Sequence, residues 1–96
     1  MPSHELDTFP GAEIVLPGID DLEAGRESVN ALAVSAAASR LGVRDLIAGM
    51  DAPEPATHRL YLRLQAELGD AAHSRYKAIL ARVASFARAA EHARAG

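Results

Sequence analysis

The sequence predicts an all-α fold: a small three- to four-helix bundle with a C-terminal αα-hairpin and an irregular N-terminal segment. Three observations lead there. Residues 70–94 are the longest stretch without Gly or Pro, and Ala72, Tyr76, Ile79, Leu80, Val83, Phe86, Ala87 and Ala90 recur in it at the spacing of one helical face. Cap and stop residues bracket the stretches before it. A single glycine, Gly69, separates the last two helical stretches, and so short a link forces them close to antiparallel.

The elements follow in order. Residues 1–18 hold Pro2, Pro10, Gly11, Pro17 and Gly18, a density of punctuation that argues against a long helix. Glu13-Ile14-Val15-Leu16 reads as a short extended piece laying apolar side chains on the helices, too short and isolated to imply a sheet. Asp20 reads as the cap of a helix of one or two turns, with Glu23 reaching back as in a capping box and Gly25 as its C′ residue. Ser28 caps a second helix over Val29 to Leu41, with Val29, Leu32, Ala33, Ala36, Ala37 and Leu41 as its apolar face and Gly42 as its stop. Arg44 to Ala48 adds one more turn, ended by Gly49 and the prolines Pro53 and Pro55. A third helix starts at Pro55 or Thr57 and runs to Leu68, with Leu60, Tyr61, Leu64 and Leu68 inward and Leu62 to one side. Asp70 caps the last helix. The expected organisation is residues 1–18 as an irregular segment and residues 19–96 as a single helical domain.

Composition narrows the class. The chain has 96 residues and no cysteine, which removes disulfides, Cys-based metal sites and a Cys nucleophile. No apolar run reaches the roughly 20 residues that span a bilayer, and the opening MPSHELDTFPGAE lacks the positive region of a signal peptide. The expectation is a cytoplasmic protein, of the bacterial kind suggested by abundant Ala and a nine-to-one excess of Arg over Lys. Charge is split: residues 1–56 carry ten acids and three bases, residues 57–96 three acids and seven bases. Attraction between the two halves, within the fold or across a dimer, explains this more simply than a basic nucleic-acid face, because the total is acidic and no segment is densely basic.

No residue pattern specifies an enzyme, and the expectation is a non-enzymatic protein with no cofactor and no bound metal. The histidines His4, His58, His73 and His92 form no i,i+4 pair, and Glu54/His58 and Asp70/His73 would each need further ligands. Tyr61, Tyr76 and His73 can meet between the last two helices, where Tyr in an apolar stripe is ordinarily core with its hydroxyl at the rim.

The face of the last helix opposite its core stripe is unusual. Ser74, Ala78, Ala81, Ser85, Ala89 and His92 follow one another at steps of three and four, flanked by Arg75 and Arg82 on one side and Lys77 and Arg88 on the other. Small residues let another helix approach closely, and arginines can pair with a partner's acids. Codon bias and the high helix propensity of Ala account for the same face without any partner. The expected function is therefore protein–protein interaction, as a homodimer or other homo-oligomer or with a second protein. The alternative is a small antitoxin-like or transcriptional regulator binding nucleic acid through a degenerate helix-turn-helix at Ala38–Ala48. There Ala38, Leu41, Gly42 and Val43 imitate the tight turn of that motif. Against it, the following turn offers one Arg and an Asp, too little positive charge for phosphate contacts.

Overall fold

The computed structural model describes residues 8–48 and 54–95. The described residues form helices and turns with no strand. In order they are α1 (Ala12–Glu23), α2 (Val29–Ala36), α3 (Ala38–Leu41), α4 (Arg44–Ile47), α5 (Ala56–Leu68), a 3₁₀ turn (Gly69–Ala71) and α6 (Ala72–Ala95). The all-α bundle and its C-terminal hairpin of α5 and α6 are as the sequence indicates. The punctuation at Gly49 and Pro53, and His4, lie outside the described residues.

The main correction is at the N-terminal end. Residues Ala12 to Gly18 are not irregular or extended but the first half of α1, which runs across the expected boundary at residues 18 and 19. Asp20 is accordingly not a cap; it lies in the last turn of α1. Pro17 sits inside this helix and is exposed. It removes one backbone hydrogen bond and crowds the preceding turn, at a cost of about 3 kcal/mol. Ile14, Val15 and Leu22 of the same helix are buried. At roughly 1.5–3 kcal/mol each, their burial outweighs that cost.

Two glycines allow α1 its close seating. Gly11, the N-cap, has φ 87°, and a Cβ there would lie 2.1 Å from the Arg82 carbonyl oxygen of α6. Gly18 faces α2, where a Cβ would meet the Asn30 carbonyl oxygen and a Val34 methyl, each at 2.5 Å. Phe9, just before α1, packs edge-on to Phe86 of α6, with ring centres 5.6 Å apart.

α1 ends as the sequence indicates. Gly25 N–H donates to the Leu22 carbonyl and Arg26 N–H to that of Asp21, the paired bonds of a Schellman motif. Gly42 and Val43 repeat the pattern on Ser39 and Ala38 at the end of α3. Ser28 caps α2, its Oγ accepting from Ala31 N–H at 3.0 Å. The helix expected to run from Val29 to Leu41 is instead broken at Ala37 (φ −113°, ψ 18°) into α2 and α3. No Gly or Pro marks that break.

Ala31, Leu32, Ala33 and Val34 are buried in succession. A helix buried on all sides is central, and α2 packs against α1, α5 and α6. Around it the core closes with Val15, Leu60, Ile79 and Val83. The α6 stripe is as expected: Ala72, Ile79, Val83, Phe86 and Ala87 are buried, and Tyr76, Leu80 and Ala90 pack half-buried against the same core. In α5, Leu60 and Leu64 are buried, but Leu68 is not: it is 44% exposed, much as Leu62 is at 43%. Asp70 lies inside the 3₁₀ turn Gly69–Ala71 that leads into α6, not directly before the helix as a cap would.

Candidate functional site

Two acids of the N-terminal half pair with bases of the C-terminal half, and one pair runs in the opposite sense. Glu13 of α1 accepts from Arg82 of α6 through both carboxylate oxygens, at 3.0 Å from Nε and 2.9 Å from Nη2. Glu27 pairs with Arg59 of α5, and its carbonyl accepts from Arg63. Arg40 of α3 meets Glu91 of α6 at 2.7 Å. Within the chain, the acid that pairs with Arg82 is Glu13. Arg82 holds the Glu13 carboxyl below its ordinary range, chiefly by hydrogen bonding, and Glu13 in turn raises Arg82.

The turn between α1 and α2 is tied by Asp21. Its carboxylate accepts from Ser28 Oγ at 2.5 Å and from Arg26 Nε at 3.0 Å. The Ser28 bond first, and Arg26 second, hold Asp21 below the usual carboxylate range.

The outer face of α6 is the surface the sequence singles out. Ser74, Ala78, Ala81 and His92 are exposed, as are Arg75, Lys77, Arg82 and Arg88, while Ser85 and Ala89 are half-buried. The Ser85 hydroxyl turns onto its own helix: it donates to the Ala81 carbonyl at 3.0 Å and accepts from Arg88 Nη2 at 3.3 Å. The flanks differ in what they leave available. Arg82 is held by Glu13 and Arg88 leans on Ser85. Among the described residues, Arg75 and Lys77 make no salt bridge. The open part of the face is its N-terminal half, from Ser74 to Ala81.

Tyr61, Tyr76 and His73 do come together. The Tyr61 and Tyr76 rings meet edge to face at 5.2 Å, and His73 lies 6.4 Å from Tyr61. Both tyrosines are half-buried, so the group fits a packed rim. Exposed Leu68 is what the sequence reading missed; it falls on the apolar stripe of α5, but in the last turn. Glu54 and His58 approach within 3.7 Å. Among the described residues no three His, Asp or Glu side chains gather as a metal site would require.

A cleft of about 140 Å³ lies between the α1–α2 turn and α5, with Leu22, Ala31 and Leu32 as its floor and Arg26, Glu27 and Arg59 at its rim. Pockets for drug-sized ligands run to roughly 300–1,000 Å³. At Ala38–Ala48, the segment of the alternative helix-turn-helix reading, α4 is a single turn with Leu46 and Ile47 packed half-buried against the core. No described helix is long and apolar enough to cross a membrane. Comparison with known proteins gives no matching family model, no matching curated protein and no matching solved structure.

Proposed function

We propose that this protein is a non-enzymatic helical interaction module, which self-associates or binds a second protein through the outer face of α6. The observation that supports this reading is the open half of that face. Ser74, Ala78 and Ala81 leave a low, exposed track on a helix, and the Arg75 and Lys77 beside it have no salt-bridge partner among the described residues. A helix surface of this shape admits another helix at short range. The setting we propose is the bacterial cytoplasm, on the strength of a cysteine-free, Arg- and Ala-rich composition. The nucleic-acid alternative gains no comparable support, because the one-turn α4 has no length to lay along a major groove.

Light scattering tests the self-association form. The expected result is a mass above the 10.1 kDa of one chain that falls when Ala81→Glu places a charge in the track, with helicity by circular dichroism unchanged. A monomer at every concentration, with and without the substitution, sinks self-association. Binding to a protein encoded beside this one then becomes the measurement, again with Ala81→Glu as the control.

A further inference from the structure

We draw no further inference here: the strongest candidate, the cleft between the α1–α2 turn and α5, carries nothing, because the charged groups at its rim already pair within the chain, Arg26 with Asp21 and Arg59 with Glu27, and nothing in the structure shows what would occupy it.

Discussion

Ser28 does two things with one hydroxyl. It accepts from Ala31 N–H at the start of α2 and donates to Asp21 near the end of α1. Removing an N-cap side chain costs about 1 kcal/mol, and here the loss also takes a donor from a carboxylate. In a domain of this size 1 kcal/mol corresponds to roughly 4–8 °C in melting temperature. Ser28→Ala should therefore lower Tm by at least that amount. Ser28→Thr keeps both the acceptor and the donor and should lose much less. Equal losses in the two variants would mean that the hydroxyl is not what holds the turn.

The packing of elements gives two sharper tests. Gly18→Ala gains about 1 kcal/mol of intrinsic helix propensity. It also drives a methyl against the Asn30 carbonyl, 2.5 Å away. A backbone atom cannot step aside as a side-chain end can, and overpacking of this kind costs roughly 1–3 kcal/mol. Net destabilisation is expected in urea unfolding; a stabilised variant would show that α1 does not approach α2 so closely. The second test uses two neighbouring leucines of α5. Leu60 is 0% exposed and Leu62 is 43% exposed. Leu60→Ala should cost about 2–5 kcal/mol, a large share of the roughly 5–15 kcal/mol that holds a typical domain. Leu62→Ala should stay within about 0.5 kcal/mol. Similar losses at both positions would contradict the register of α5.

At the scale of the whole molecule, Glu13 and Glu27 of the acidic N-terminal half pair with Arg82 and Arg59 of the basic C-terminal half, and Arg40 pairs with Glu91 in the opposite sense. Solvent-exposed pairs contribute little to stability, so apolar burial around α2 provides most of it. Their signature is in pH. Glu13 and Asp21 are lowered in the fold by Arg82 and by Ser28 with Arg26. A lowered carboxylate stabilises fully above its unfolded pKa, about 4.3 for Glu and 3.9 for Asp. That contribution disappears as pH falls through the lower, folded value. Wild type should therefore lose stability below about pH 4 faster than the Glu13→Gln, Asp21→Asn double variant, measured by denaturant midpoint. Parallel curves would show that neither carboxylate is held as described. The same pairing shapes the proposed interface: with Arg82 drawn to Glu13, Arg75, Lys77 and Arg88 are the bases beside the track without a salt bridge among the described residues, and Arg88 donates to Ser85, which leaves Arg75 and Lys77, nearer the start of α6.

Residue spacing by itself determined the all-α class, the buried stripe of α6, the hairpin at Gly69, the Ser28 cap and the stops at Gly25 and Gly42. These are local effects: a helix face repeats at 3.6 residues, and caps act within one turn of themselves. Tertiary structure alone decided three things. It made a helix of Ala12–Glu23, because burying Ile14, Val15 and Leu22 offsets a proline that local propensity reads as a breaker. It broke the helix at Ala37, where no residue signals a break. It also drew Arg82 onto Glu13, 69 residues away in the chain. The outer face of α6 was legible as a pattern, but which of its bases would be neutralised depended on where α1 came to rest.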